Sequence, residues 1–194
     1  MRSLQTARLL LRPFRHSDLS ALNHYARSPH VGPHAGWPPH ASREESRRVL
    51  DEFIREDEVW AVVRREDGTL IGSIGLHADP KRPYEGARML GYALGEPYWG
   101  NGYAAEAAGE VIRFAFEVQR VSILSLYHYA YNQRSRRVAE KCGLVREGML
   151  RAGCKRYDGK VLDEVCYSLT LPEYEERLSQ GFYLPKAGRE EDVR

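Results

Sequence analysis

The most regular hydrophobic pattern in the chain lies over residues 103–117, where it predicts an amphipathic helix. Apolar side chains recur there at the spacing of one helical face, and most are alanines that let the helix lie close to a sheet: Ala104, Ala107, Ala108, Val111, Ile112 and Ala115. An apolar strand over residues 87–94 and a tight Gly100-Asn101-Gly102 turn lead into this helix. The glycines permit positive φ, and the first-turn N–H groups lie at the positive end of the helix dipole. The stretch therefore predicts a binding site for a phosphate or pyrophosphate.

Apolar alternation and turn residues predict the other elements. Before this stretch they predict strands over 7–12, 59–64 and 69–77, and helices over about 18–26 and 42–56. The second and third of these strands form a hairpin around Asp67-Gly68. After the stretch they predict a strand over 121–131, a helix that Asn132 caps and Gly143 ends, a hairpin over 144–157 and 160–171, and a short helix over 173–179.

Residues 29–40 carry four prolines and two glycines, which predicts an irregular loop. One interpretation is a rigid cover over a pocket that selects the substrate, with Trp37 as a flat apolar wall and His40 beside it. The three histidines of the loop have no Asp, Glu or Cys among them, so we expect no metal site.

Composition narrows the class of protein. A length of 194 residues fits one domain, which we expect over residues 1–180 with a polar tail over 181–194. The net charge of +2 comes from interspersed bases and acids, which argues against nucleic-acid binding. No apolar run approaches the ~20 residues that span a bilayer, and the start lacks a signal-peptide core. We therefore expect a cytoplasmic protein with no membrane partner.

The three cysteines cannot all pair, and none lies in a C-x-x-C arrangement, so we expect reduced thiols. A two-residue turn at residues 158–159 puts Cys154 opposite Asp163 and Cys166 opposite Arg151. These two cysteines are then not cross-strand partners.

The Gly-rich turn alone does not identify its ligand. Gly100-x-Gly102-x-x-Ala105 matches the G-x-G-x-x-G/A fingerprint of dinucleotide-binding folds. That fingerprint belongs to the first strand of a parallel βαβ series, whereas a hairpin precedes it here, and the acid expected about 20 residues later is missing. The Gly-Lys-Ser/Thr ending of a P-loop is also missing. NAD, ATP and GTP are therefore disfavoured.

Three motifs in order point to one family. They are Thr6-x-Arg8-Leu9-x-Leu11-Arg12-Pro13 with Asp18, Tyr98-Trp99-Gly100-Asn101-Gly102-Tyr103-Ala104-x-Glu106-Ala107, and Asn132-x-x-Ser135 running to Glu140-Lys141-x-Gly143 and Glu147-Gly148. Together they resemble the GNAT superfamily of acyl-CoA-dependent N-acetyltransferases, in particular the branch of the ribosomal-protein N-terminal acetyltransferases RimJ and RimL.

The resemblance implies an α/β (α+β) fold with a strongly bent mixed sheet of about seven strands, flanked by four to five helices. Its two central strands splay apart into a V-shaped cleft that holds acetyl-CoA. The implied cofactor-binding residues are Ala93, Leu94, Trp99, Gly100, Asn101, Gly102, Tyr103, Ala104, Asn132 and Ser135. Trp99 departs from the Arg or Gln often found at its position in the family, which puts charge assistance from that position in doubt.

Acetyl transfer from a thioester to an amine needs an oxyanion donor, a proton for the thiolate and a neutral amine. The resemblance implies that a backbone N–H near Leu94 stabilises the oxyanion. Ser135 is the candidate acid or orienting group for the thiolate, because it lies in the first turn of the helix capped by Asn132. The alternative is that Ser135 only packs or assists the cap.

The base stays open between His77, His128 and Glu96, and a water chain is a fourth alternative. The acceptor is either a protein or peptide N-terminus or a small-molecule amine, and the chain is a monomer or homodimer. A CoA-binding module without catalysis is the alternative to an enzyme.

Overall fold

The computed structural model describes residues 1–183. The predicted polar tail therefore lies outside the described residues, apart from 181–183. Those three residues form a turn, and Tyr183 donates a hydrogen bond to the Cys142 carbonyl at 2.5 Å and stacks on Tyr174. None of the helices in this part of the chain is long and apolar enough to cross a membrane.

Eight strands form one sheet across the described residues: β1 Leu4–Gln5, β2 Leu9–Pro13, β3 Val59–Arg64, β4 Leu70–Ala78, β5 Ala87–Leu94, β6 Ile123–Tyr129, β7 Val145–Lys155 and β8 Val161–Thr170. Their order is β1-β2-β3-β4-β5-β6-β8-β7, and only β5 and β6 pair in parallel. The six α-helices are α1 Leu19–Ala26, α2 Gly32–Ala35, α3 Arg43–Glu56, α4 Tyr103–Glu117, α5 Gln133–Lys141 and α6 Leu171–Ser179. This architecture confirms the expected GNAT fold, with a short strand and a short helix more than expected.

Each face of the sheet carries its own hydrophobic core. The alanine face of α4 is buried against one face, where Ala108 and Ala115 are fully buried. Helices α1 and α3 cover the opposite face, with Leu22 and Leu50 in the second core. The small side chains of α4 bring its backbone close to β5, which fixes the start of α4 beside the end of that strand.

The two parallel strands separate soon after they meet. Pairing of β5 with β6 covers only the three residues from Ala87↔Ile123 to Met89↔Ser125, although β5 continues to Leu94. The Gly95 N–H bonds the Ile71 carbonyl on β4, so alternation turns the N–H and C=O of Leu94 the other way, into the gap. The predicted V-shaped splay is therefore confirmed, and it leaves backbone groups without a strand partner.

Helix α2 lies within residues 29–40, where an irregular loop was expected. Pro33 occupies its first turn, and Gly36 ends it with φ of +98°. Proline near the start and glycine just after the end of a helix are the usual boundary residues. The density of prolines concealed this one-turn helix.

The expected register of the last hairpin was wrong. Its loop has three residues, because the Arg156 N–H bonds the Lys160 carbonyl, and Cys154 faces Leu162 instead of Asp163. A bulge before Cys154, with Ala152 at φ of +52°, shifts the strand again and brings Gly148 opposite Cys166. The cysteines are still unpaired, as expected.

Candidate active site

A cleft of about 460 Å³ occupies the gap between β5 and β6. Alternation along β5 turns Tyr92 and Leu94 towards the α4 face of the sheet, and Gly91 and Ala93 towards the α1 face. Residues from both sets line the cleft. The cleft therefore opens on both faces of the sheet, with α4 and α5 at one mouth and α2 at the other.

The Gly-rich turn has the backbone that an anion site requires. Gly100 and Gly102 have φ of +80° and +81°, and Gly102 is the N-cap of α4 without any side-chain cap. The first intrahelical bond runs from the Glu106 N–H to the Gly102 carbonyl. The N–H groups of the preceding first-turn residues are therefore free to face a ligand.

The first sequence motif holds this turn in place. Glu106 accepts hydrogen bonds from Thr6 Oγ1 at 2.6 Å, from the Arg8 N–H at 2.9 Å and from Arg8 Nε at 2.7 Å. Arg8 Nη1 also donates to the Asn101 carbonyl at 3.1 Å. Sequence reasoning missed this anchor, because it joins residues 98 and 100 positions apart.

Trp99, the departure from the family pattern, closes one end of the gap. Its Nε1 donates to the Leu94 carbonyl at 2.7 Å, which leaves the Leu94 N–H as the group that faces the cleft. The Arg134 guanidinium lies 4.0 Å from the centre of the Trp99 ring. Arg134, Arg137 and Lys141 all line the cleft from α5, so this helix supplies the positive charge that the turn lacks.

The first turn of α5 carries the polar centre of the cleft. Asn132 caps the helix by accepting from the Ser135 N–H at 3.2 Å, as predicted, and its Nδ2 donates to the His34 carbonyl at 3.3 Å. Ser135 Oγ lies 2.9 Å from the Tyr92 hydroxyl. Burial raises the pKa of Tyr92, so the phenol stays protonated. Sequence reasoning missed Tyr92, because its distance from Ser135 follows only from the splay.

We expect Asn132→Ala to cost about 1 kcal/mol of unfolding free energy through the lost cap. It should also weaken CoA binding, because the start of α5 loses its tie to α2. The matched control is Ser42→Ala, since Ser42 caps α3 in the same way by accepting from the Glu45 N–H, far from the cleft. Chemical denaturation and calorimetry with CoA measure the two effects, and an equal loss of CoA affinity in both variants would contradict the expectation.

The three base candidates lie in different places. His128 lines the cleft and is 6% exposed, on the same face of β6 as the α4 core. Its Nδ1 lies 2.8 Å from the Tyr129 carbonyl, and its Nε2 has no hydrogen-bond partner among the described residues. His77 and Glu96 do not line the cleft; Glu96 accepts from Ser28 Oγ, and His77 faces Glu58.

Burial lowers the pKa of His128, so the folded chain holds this imidazole neutral. Below the unfolded pKa of about 6.5, the unfolded chain binds more protons, and folding stability falls as the pH falls. We expect the melting temperature to drop between pH 7.5 and 5.5, and His128→Gln to reduce that drop. His24→Gln, on the exposed side of α1, is the control, and an unchanged drop in His128→Gln would contradict the expectation.

The loop over residues 29–40 presents other side chains to the cleft than Trp37 and His40, which were expected there. Trp37 packs beneath α2 against Gly32, and His40 Nδ1 lies 2.9 Å from Ser46 Oγ, so neither side chain is in the cleft wall. The residues of this loop that line the cleft are Val31, His34, Ala35 and Gly36. Helix α2 and the residues that flank it therefore form this part of the cleft wall.

Charged and aromatic side chains line the mouth beneath α2. Lys81 Nζ lies 2.6 Å from Glu164 Oε2 and 5.0 Å from the centre of the Tyr127 ring. Tyr129 and Cys154 complete this part of the wall. Within residues 1–183, no group of three His, Cys, Asp or Glu side chains could hold a metal ion.

Comparison with known proteins gives the family. Residues 8–145 match the acetyltransferase (GNAT) domain. The "Uncharacterized N-acetyltransferase YoaA" of Bacillus subtilis (strain 168) is 27% identical over 174 residues, 87% of this chain and 97% of that protein. The "Putative ribosomal N-acetyltransferase YdaF" of the same organism is 32% identical over 111 residues, 56% of this chain and 58% of that protein. The crystal structure of an acetyltransferase (GNAT family) from Bacillus anthracis has a TM-score of 0.81 at 22% identity and covers 89% of this chain and 100% of its own. With a domain match over more than half of its length, this chain belongs to the GNAT family of N-acetyltransferases.

Proposed function

We propose that this protein transfers the acetyl group of acetyl-CoA to a primary amine, by direct attack within a ternary complex. The observation that carries this proposal is the cleft that passes through the sheet. A positively charged cofactor mouth lies on one face, and a separate acceptor mouth lies on the other. Both substrates can therefore occupy the cleft at once.

The residues of the cofactor mouth fit CoA. The turn from Gly100 to Gly102 keeps side chains away from a pyrophosphate, while the first-turn amides of α4 and the cations of α5 complement its charge. The gap-facing backbone of β5 can bond the pantetheine amides as a neighbouring strand would. Ala93 differs from the other expected cofactor residues, because its N–H and C=O face β4 and only its methyl group can touch the ligand.

When bound, acetyl-CoA supplies the activated thioester. The Leu94 N–H donates to the carbonyl oxygen as negative charge develops there. The Ser135 hydroxyl donates to the departing sulfur, with Tyr92 bonded behind it. Ser135 lies on the α5 side of the gap, and the amine enters from the α2 side, so attack and departure take place on opposite sides of the carbonyl.

The proposed acceptor is a protein or peptide N-terminus or a small-molecule amine. The resemblance of the sequence motifs to the RimJ and RimL branch, and the name of the relative YdaF as a putative ribosomal N-acetyltransferase, support testing the N-termini of ribosomal proteins first. Small amines such as polyamines are the second class.

Release of free thiol from acetyl-CoA tests the function. Purified protein is mixed with acetyl-CoA and a panel of peptides and small amines, and we expect amine-dependent thiol release. CoA binding in calorimetry without thiol release for any amine would favour a CoA-binding module. Absence of CoA binding would overturn both functions.

A further inference from the structure

We propose that Glu164 receives the ammonium group of the acceptor and takes its proton, and that Lys81 holds the carboxylate in position. This inference rests on the proposed function and supplies the base that the sequence left open.

The sheet register places Glu164 level with the end of β5, where the proposed function puts the thioester carbonyl. The parallel pairing of β5 with β6 ends at Met89↔Ser125, and the same offset continued along both strands brings Ala93 level with Tyr129. Tyr129 is the antiparallel partner of Glu164 on β8. Glu164 therefore lies level with the end of β5, where the Leu94 N–H faces the gap.

The side chain of Glu164 lies on the acceptor face. Successive side chains along β8 point to opposite faces of the sheet. Val165 and Tyr167 both belong to the core beneath α4, so Glu164 points to the opposite face. That face carries the wall formed by α2, and Glu164 itself lines the cleft. The carboxylate thus approaches from the side opposite Ser135.

The Glu164 carboxylate has unused capacity to accept hydrogen bonds. Its side chain is only 13% exposed, and its Lys81 partner is 29% exposed. Among residues 1–183 it accepts no hydrogen bond from any other side chain, although an ionised carboxylate has about four lone-pair sites. A partly buried ion pair stabilises a fold little, so its position in a substrate cleft favours a role in binding.

The proton balance is complete with the groups present. The ammonium gives one proton to Glu164, which passes it to solvent, and the neutral nitrogen forms the C–N bond with the carbonyl carbon. The C–S bond breaks, and the sulfur takes a proton from the Ser135 hydroxyl. The nitrogen then loses a second proton, which water carries to Ser135 to restore its hydroxyl. The products are the amide, the free thiol and one proton in solution.

The test compares protonated with neutral amines in Glu164→Gln. The probes are tripeptides with free N-termini, benzylamine and spermidine, which are cations at pH 7, and aniline, which is neutral. We expect kcat/KM to fall about 100-fold for the cationic acceptors and by no more than about tenfold for aniline. The affinity for CoA, measured by calorimetry, should not change. Lys81→Met keeps the carboxylate and removes a positive charge, so we expect it to lower KM for cationic acceptors and also kcat.

The control is Asp163→Asn. Asp163 is adjacent on β8 and on the other face, and it accepts from the Ala152 N–H at 2.8 Å, a bond that Asn retains. Asp163→Asn should have the same kcat/KM for each amine, and the same affinity for CoA, as the unmodified protein. Full activity of Glu164→Gln, an equal loss for all amines, or a loss of CoA affinity would each overturn the proposal. Inactivity of the unmodified protein with every amine would instead count against the proposed function.

Discussion

Gly102→Val is expected to lower the affinity for CoA at least 100-fold. The φ of +81° at this position is strained for any residue with a Cβ, and a β-branched residue is the worst case, at about 1–3 kcal/mol. A Cβ there would also lie 3.5 Å from Arg8 Nη2, so the valine methyl groups would disturb the side chain that holds the Asn101 carbonyl. Relief of the strain would turn the first-turn amides away from the pyrophosphate.

The matched control is Gly109→Val. Gly109 lies in the same helix, without a positive φ, and a Cβ there would have nothing within 4 Å. Calorimetry with CoA measures both variants. A 100-fold loss corresponds to about 2.7 kcal/mol of binding free energy, so a loss confined to Gly102→Val is easily resolved. Undiminished affinity in Gly102→Val would show that the pyrophosphate does not bind at this turn.

The local parts of the site could be predicted from the sequence because they depend on neighbouring residues. Positive φ at Gly100 and Gly102 follows from a tight Gly-Asn-Gly turn that leads directly into a helix. The Asn132 cap and the placement of Ser135 follow from three-residue spacing. Each of these features lies within a single turn of chain, where the residue types nearly determine the backbone.

The parts that could not be predicted depend on strand register and on distant contacts. Tyr92 meets Ser135 only because β5 and β6 separate after three paired residues. Glu164 reaches the cleft through the pairing of β8 with β6, which places it opposite Tyr129 although the helix α5 and the strand β7 separate the two strands in the chain. A one-residue error in register turns a side chain to the other face of the sheet, so neither position follows from alternation alone.

Ser135→Ala is expected to reduce kcat about 100-fold while the KM for acetyl-CoA stays nearly constant. Removal of a general acid typically costs 10²–10⁴-fold, and the hydroxyl is only one of the groups that act on the leaving sulfur. The control is Ser46→Ala, which removes another buried serine hydroxyl, one bonded to Asn23 and His40 outside the cleft wall. It should lower stability without lowering kcat. Unchanged kcat in Ser135→Ala would leave this serine with only a structural role beside the cap.

Tyr92→Phe tests whether the Tyr92 hydroxyl acts through Ser135 or acts on the reactants itself. The Tyr92 hydroxyl lies 2.9 Å from Ser135 Oγ and, in our proposal, acts through it, so we expect Tyr92→Phe alone to lower kcat about tenfold. In the Ser135→Ala background the same change should have almost no further effect, because the group through which Tyr92 acts is gone. Steady-state kinetics of the two single variants and the double variant measure this coupling. Additive losses would mean that the Tyr92 hydroxyl acts on the thioester or the acceptor directly, and Ser135 would then not be its route to the sulfur.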